Sequence, residues 1–202
     1  MSRITSSRHG IGQWASITDV DFVMSHRRVF SASAVSVLAY PVAYYIRSQR
    51  DRLNDLGIAL STPTKTQLRE YFRPADLDRT RVVESDPFPI PAPPFCKTAR
   101  RLGLDFPDLS LVAAITLDSV IASRGPLGPS LLFHELVHVV QFRLLGVKTF
   151  AKLYTRGFLD ERSYDGIPLE RCAYELERRF TNHSERFDVE AEVAAWIERD
   201  RF

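Results

Sequence analysis

The chain has 202 residues, of which 45% are hydrophobic and 26% are charged, a composition typical of one folded domain with a core of ordinary size. Its 27 basic and 25 acidic side chains leave a formal net charge of +2. A nucleic-acid-binding protein needs a concentrated basic field, so we expect no nucleic-acid partner. The two cysteines, Cys96 and Cys172, are too few for a disulfide framework and form no CxxC pair, which favours a reducing, cytoplasmic compartment.

Residues 1–38 are rich in serine, arginine and small side chains and show little hydrophobic periodicity. We expect them to form a poorly ordered leader or arm ahead of a single domain over residues 39–202. The stretch 29–46 carries no charge over 18 residues, the minimum length of a membrane span. Its serines, its tyrosines and Pro41 favour a partly buried helix or a leader, and membrane association through this stretch is the alternative.

The first predicted helix begins at Pro41, because proline suits a first helical turn, and ends near Gly57. A serine- and threonine-rich turn then precedes a second predicted helix over residues 65–72. Residues 81–84 are a strand candidate. Five prolines within residues 87–94 predict an extended connector, because proline supplies no backbone N–H to a helix or a central strand.

Residues 111–123 predict two strands joined by a bend at Asp118 and Ser119. A glycine- and proline-rich loop follows, and the apolar sequence of residues 130–145 then predicts a buried helix that ends at Gly146. Three further helices are predicted, over residues 147–157, 168–180 and 188–199. We therefore expect an α+β fold that is mainly helical and contains a small sheet.

The predicted helix over residues 130–145 contains the HExxH motif, as His134-Glu135-Leu136-Val137-His138. Residues four apart lie on one face of a helix, so His134 and His138 can bind one zinc ion from adjacent turns. Glu135 can then reach a water molecule at the metal as a general base. Three ionisable groups in so apolar a helix are costly to bury without a purpose. The alternative is a pair of core histidines with local hydrogen bonds.

Zinc chemistry requires a third protein ligand. The metzincin pattern would place glycine and histidine where this chain has Gln141 and Leu144, so that class is excluded. Glu170 is the preferred ligand, because the dipole of a predicted helix stabilises a carboxylate in its first turn and the small Ala173 lets the two helices approach. A capping carboxylate is the alternative role for Glu170, and His183 is the second choice of ligand. The other candidates are Asp160, Glu161, Asp165, Glu175 and Glu177.

Two segments carry a resemblance to a known family: His-Glu-Leu-Val-His-Val-Val-Gln at residues 134–141 and Ile-Pro-Leu-Glu-Arg-Cys-Ala-Tyr-Glu at residues 167–175. They resemble the DUF4157 family, a metallopeptidase domain in the core of bacterial extracellular contractile injection systems, and the similarity extends over residues 81–180. The resemblance implies a gluzincin-like zincin with a small sheet beside the HExxH helix and Glu170 as the third zinc ligand. It also implies a bacterial cytoplasmic protein, with export by a specialised secretion system as a further option.

The catalytic roles follow from the chemistry of zinc. Three protein ligands leave a position for water, whose pKa the metal lowers, and Glu135 takes its proton and delivers it to the leaving amine. We also expect a hydrogen-bond donor for the oxyanion. The candidates for this donor are Tyr154, Tyr164 and Tyr174.

Two positions depart from the related patterns: Phe142 replaces a second glutamine of the family, and Tyr174 replaces the aspartate of thermolysin-like enzymes. The hydrogen-bond partners of the two histidines therefore stay open. The candidates for these partners are Asp160, Glu161 and Glu175. A strand within residues 115–122 is a candidate for binding an extended peptide at the sheet edge, and Cys96 is a minor candidate for a latent-state zinc ligand.

Two functions are compatible with these motifs. The first is a zinc metallopeptidase, a hydrolase whose partner is a peptide or protein substrate. The second is a non-catalytic, metal-stabilised binding or assembly module of a bacterial secretion or injection apparatus. Glu135 favours the first, because a purely structural zinc site has no use for a general base.

Overall fold

The computed structural model describes residues 31–94, 96, 101, 112–161, 164, 166–182 and 186–202. Its helices are α1 (Ala32–Asn54), α2 (Thr62–Leu68), α3 (Pro74–Arg79), α4 (Pro129–Glu161), α5 (Pro168–Thr181) and α6 (Val189–Glu198). Its strands are β1 (Ile58–Ala59), β2 (Arg81–Glu84), β3 (Ala114–Leu117) and β4 (Val120–Ser123). The described part of the chain is thus mainly helical with one small sheet, and the α+β prediction is confirmed.

Helix α1 begins at Ala32, so the predicted start at Pro41 was wrong. The Ser31 side chain accepts a hydrogen bond from the Ala34 backbone N–H at 3.2 Å and caps the helix. Pro41 lies inside the helix, where its missing N–H leaves the carbonyl group of Val37 without its helical partner. Val37 is 73% exposed, so that carbonyl lies on the side that faces water and the lost hydrogen bond is tolerated.

Helix α1 contains most of the uncharged stretch 29–46, and its Ala43, Ile46 and Leu53 belong to a buried cluster that it shares with α4. Among the described helices, only α4 is long and apolar enough to cross a membrane, and 67% of its apolar window is buried inside the fold. Residues 1–30 of the predicted arm lie outside the described residues, and the remainder of that arm belongs to α1 and its cap.

The helix predicted over residues 65–72 is α2, which starts and ends earlier than expected. Its cap is Ser61, whose side chain accepts a hydrogen bond from the Thr64 backbone N–H at 3.2 Å. The predicted turn residues therefore belong to the first turn of α2. Pro63 fits there because a backbone N–H in the first turn has no helical carbonyl group to bind, so proline loses no hydrogen bond.

The sheet has the strand order β1-β2-β4-β3, with β2 and β4 parallel and the other two pairs antiparallel. The strand predicted at residues 81–84 is β2, and the two strands predicted within residues 111–123 are β3 and β4. Asp118 makes the bend between them with a φ of 61°, a conformation that aspartate tolerates better than most residues. Its carboxylate accepts hydrogen bonds from Arg50 of α1 and Arg79 of α3 at 2.8 and 3.3 Å. The hairpin is thereby tied to two helices.

Helix α4 lies at the centre of the molecule and packs against α1, α3, α5, α6 and β3. It consists of a first arm, residues 129–145, and a second arm, residues 147–161, joined at Gly146. The φ of 73° and ψ of 155° at Gly146 are accessible almost only to glycine. The bend brings Phe142 and Phe150 into a stacked contact, with ring centroids 3.7 Å apart. The helix end predicted at Gly146 is therefore confirmed as the corner between the two arms.

Helices α5 and α6 correspond to the predictions over residues 168–180 and 188–199. Helix α5 buries Leu169, Cys172 and Leu176 in its packing against α4. This contact places the first turn of α5 beside the first arm of α4, where the HExxH motif lies.

Candidate metal centre

The three predicted metal ligands lie together in the structure. His134 and His138 occupy one face of α4, and their Nε2 atoms are 3.1 Å apart. Glu170, in the first turn of α5, places its Oε2 atom 3.3 Å from each of these Nε2 atoms. All three side chains are buried. Glu170 therefore faces the histidines and is more than a first-turn capping carboxylate.

The hydrogen bonds on the far side of each imidazole fix which nitrogen carries a proton. His134 Nδ1 lies 3.0 Å from the Glu177 carboxylate, and His138 Nδ1 lies 2.8 Å from Gln141 Oε1. Gln141 is oriented by its own donation to the Leu169 carbonyl at 3.0 Å. Both partners accept, so each Nδ1 donates, and Nε2 is the nitrogen that carries the lone pair whenever the ring is neutral.

Two imidazole nitrogens and a carboxylate oxygen at such short separations need a cation, either a proton or a metal ion, to offset their mutual repulsion. Ligands at about 2.0–2.1 Å from a tetrahedral zinc are about 3.3–3.4 Å from each other. The separations in the structure are 3.1, 3.3 and 3.3 Å. Among the described residues, these three form a cluster whose ligand atoms all lie within 4.8 Å of one another. The donor set and its spacing therefore fit a metal ion.

The charges of the centre favour a cation as well. Burial lowers the pKa of His138, but Glu170 and Glu135 outweigh it and raise that pKa to about 9. Burial raises the pKa of Glu170, and the two histidines outweigh it and hold that pKa below its usual range. Buried carboxylates thus make the position attractive to positive charge, and a proton and a metal ion compete for it.

Glu135 lies beside the three ligands and is held by a residue of the sheet. The Thr116 hydroxyl of β3 donates to Glu135 Oε2 at 2.6 Å. Burial raises the pKa of Glu135, although both histidines and the Thr116 hydrogen bond act in the opposite direction. A buried carboxylate with a raised pKa, fixed next to a candidate metal site, has the properties of a general base.

The candidate tyrosines fall on different sides of the centre. Tyr154, from the second arm of α4, and Tyr164 both line the cavity beside the centre, as Glu170 does. Burial raises the pKa of both hydroxyl groups, so both stay protonated and can donate. Tyr174 packs on the His134 ring with centroids 4.6 Å apart, is 42% exposed and does not line that cavity.

The partners predicted for the histidines were wrong, because Glu177 and Gln141 hold the two Nδ1 atoms. The residues predicted for this role were Asp160, Glu161 and Glu175. The spacing along the helices could have identified these two partners. Glu177 follows Glu170 by two helical turns, and Gln141 follows His138 by one turn, so each lies on the same helical face as a predicted ligand. Thr116 has no such pattern, because only the packing of β3 on α4 brings it to Glu135.

Some predicted residues stay without a confirmed role. Asp165 and His183, two of the ligand candidates, lie outside the described residues. Cys96 lines the cavity beside the centre, and its part in a latent state stays a prediction.

Comparison of the chain with models of protein families, with curated proteins and with solved structures finds no match. No relative therefore supplies a function for the centre. Its function has to be inferred from its own side chains, their distances and their charges.

Proposed function

We propose that the chain is a zinc-dependent metallopeptidase that hydrolyses peptide bonds. The observation that carries the proposal is the convergence of two imidazole Nε2 atoms and one carboxylate oxygen at separations of 3.1–3.3 Å, with Glu135 fixed beside them. Zinc held by His134, His138 and Glu170 would lower the pKa of a bound water molecule and polarise the carbonyl group of a substrate.

Glu135 acts as the general base. It takes a proton from the attacking water and later delivers it to the leaving nitrogen. Its burial raises its pKa, which improves a carboxylate as a base because the optimum lies near the working pH. The Thr116 hydroxyl anchors Oε2, so Oε1 is the oxygen that exchanges the proton.

The negative charge that develops on the scissile carbonyl oxygen needs a hydrogen-bond donor. Tyr164 and Tyr154 are neutral donors next to Glu170, and we assign the role to this pair, with Tyr164 as the first candidate. Tyr174 is the weaker candidate, because it lies against the His134 ring and outside the cavity.

A substrate backbone can bind along β3. This strand is the last in the order of the described sheet, so one of its edges has no strand partner among the described residues. Ile115 and Thr116 of β3 also line the cavity. An extended peptide that adds as a strand at this edge passes next to Glu135, because Thr116 touches both the cavity and that carboxylate.

Metal analysis and cleavage of mixed peptides by the wild type, Glu135→Gln and Glu175→Gln test the proposal. We expect each protein to hold zinc at the His134–His138–Glu170 cluster, and the wild type and Glu175→Gln to cleave while Glu135→Gln does not. Glu175→Gln, on α5, is the control, because it makes the same charge change as Glu135→Gln. A chain that binds no zinc would contradict the proposal. A chain that binds zinc and cleaves nothing would support the binding or assembly module instead.

A further inference from the structure

A cavity of about 120 Å³ opens beside the candidate metal centre. An engineered apolar cavity of about 150 Å³ binds benzene, so a cavity of this size has room for most of a large side chain. Glu135, His138 and Glu170 line one end of it. In the proposed function, the cavity therefore begins next to the position of the scissile bond.

The wall away from the centre is apolar and largely aromatic. Phe142 of the first arm of α4 stacks on Phe150 of the second arm, and both rings line the cavity together with that of Phe158. Val42 and Ile46, one turn apart on α1, complete this part of the wall. Such a lining suits an aromatic or branched aliphatic group.

Strand β3 forms a wall nearer the centre. Side chains two residues apart on a strand point to the same face, so Ala114 lies on the same face of β3 as Thr116. The Thr116 hydroxyl donates to Glu135 of α4, so the Ala114 methyl group also faces α4, and it lines the cavity. A larger side chain at this position would occupy space that alanine leaves open.

The cavity offers a charged side chain no partner beyond the centre. Among the described residues its lining contains no lysine, arginine or aspartate, and its two carboxylates, Glu135 and Glu170, both belong to the centre. A charged group deeper in the cavity would lose its hydration without compensation. A large apolar group gains free energy there, because its surface leaves water.

We propose that this cavity is a specificity pocket that takes a large apolar side chain, that of phenylalanine or leucine, from the substrate residue next to the scissile bond. The proposal rests on the peptidase function proposed above and names its substrate class. One methylene group in an apolar pocket is worth about 10- to 200-fold in kcat/KM. We therefore expect phenylalanine and leucine to be preferred over alanine by about tenfold or more.

Binding of toluene, the side-chain analogue of phenylalanine, tests the pocket by NMR titration, followed on the signals of Phe150. The proteins are the wild type, Ala114→Leu, which fills the cavity, and Ala191→Leu, which makes the same change at an exposed position of α6 outside the cavity. We expect the wild type and Ala191→Leu to bind toluene saturably and Ala114→Leu to bind it about tenfold more weakly or worse. Val42→Phe fills the cavity from α1 and tests the same point if Ala114→Leu does not fold.

Two results of this titration would overturn the proposal. One is the absence of saturable toluene binding to the wild type. The other is binding of equal affinity by Ala191→Leu and by the variants whose cavity is filled.

Peptide cleavage separates the pocket from the peptidase function. The substrates are matched peptides that carry phenylalanine, leucine, alanine or lysine at one position. In the wild type and in Ala191→Leu we expect the highest kcat/KM with phenylalanine or leucine, and we expect Ala114→Leu to lose this preference. Equal kcat/KM for all of these peptides in the wild type would overturn the pocket and leave the peptidase intact. Toluene binding by a chain that cleaves no peptide would overturn the peptidase function and retain the cavity as a site for apolar groups, because the titration needs neither zinc nor turnover.

Discussion

The orientation of Glu135 depends on one hydroxyl group from a different element, that of Thr116. Replacing Thr116 by valine keeps its shape and removes the hydrogen bond to Oε2. We expect Thr116→Val to lower kcat about ten- to hundredfold, because a hydrogen bond to a charged group contributes about 1.5–3 kcal/mol, and to leave zinc binding unchanged. Steady-state kinetics and metal analysis measure the two effects.

The same substitution has a pH signature. The Thr116 hydrogen bond lowers the pKa of Glu135, so its removal raises that pKa, and the acid limb of the kcat/KM profile moves to higher pH. Thr116→Ser is the control that keeps both the rate and the profile. Loss of zinc from Thr116→Val, or an unshifted profile, would contradict the positioning role.

Glu177 holds the His134 ring through Nδ1, so we expect it to act on a bound metal ion without touching it. We expect Glu177→Gln to weaken zinc binding about ten- to hundredfold, the usual effect of losing a carboxylate behind a ligating histidine. Competition with a chelator measures the affinity. Glu175→Gln makes the same charge change on the same helix, and an equal loss of affinity in both variants would refute a specific role for Glu177.

For single residues, the sequence predicts some members of the site and not others. His134 and His138 are predictable because their spacing alone places them on one helical face. Glu170 is predictable because a rigid first turn must project its carboxylate from the helix end. The contacts of Glu177 and Thr116 depend on how α5 and β3 pack against α4, and no local pattern encodes that packing.

Among the elements, the second arm of α4 and the start of α5 approach each other closely at Gly157. A Cβ at Gly157 would lie 2.8 Å from Pro168 Cδ and 3.1 Å from Ile167 Cγ2. We expect Gly157→Ala to destabilise the fold by about 1–3 kcal/mol, the usual cost of overpacking. It should also weaken zinc binding, because Glu170 lies in the same turn as Pro168. Denaturant unfolding and zinc titration measure both effects.

Gly125→Ala is the matched control for that change. A Cβ at Gly125 would meet nothing within 4 Å, so we expect its stability to stay within about 0.5 kcal/mol of the wild type. If Gly157→Ala unfolded at the same denaturant concentration as this control, the close approach would not limit the position of α5.

The elements also differ in how far their sequence determines them. The bounds of β2 and the bend at Asp118 are predictable, because short runs of β-branched residues between turn residues favour strands. The start of α1 is not predictable from the sequence. Proline is common in a first turn and rare inside a helix, so Pro41 suggests a helix start that the structure does not have. The fold accepts Pro41 inside α1 because the affected carbonyl, at Val37, lies on an exposed face, and exposure is a property of the packed molecule.

For the whole molecule, the three proposed metal ligands come from two helices that meet only after folding, so zinc binding should add to global stability. Free zinc at a thousandfold excess over its Kd should stabilise the native state by about 4 kcal/mol. Cys172 provides the measurement, because its thiol is fully buried and burial raises its pKa to about 12. We expect a thiol reagent to label Cys172 only through unfolding, and zinc to slow that labelling.

His138→Ala is the control for this stabilisation, since it removes one ligand from the cluster. Its Cys172 labelling rate should not respond to zinc. If zinc slowed labelling equally in the wild type and in His138→Ala, the stabilising ion would be bound somewhere else.

The bend at Gly146 fixes the relative orientation of the two arms of α4. A Cβ at this position would meet no atom within 4 Å, so the backbone angles alone, and not crowding, restrict the position to glycine. The arm before the corner carries the two imidazoles, and the arm after it carries Tyr154. One pair of torsion angles therefore sets how far this tyrosine lies from the two histidines.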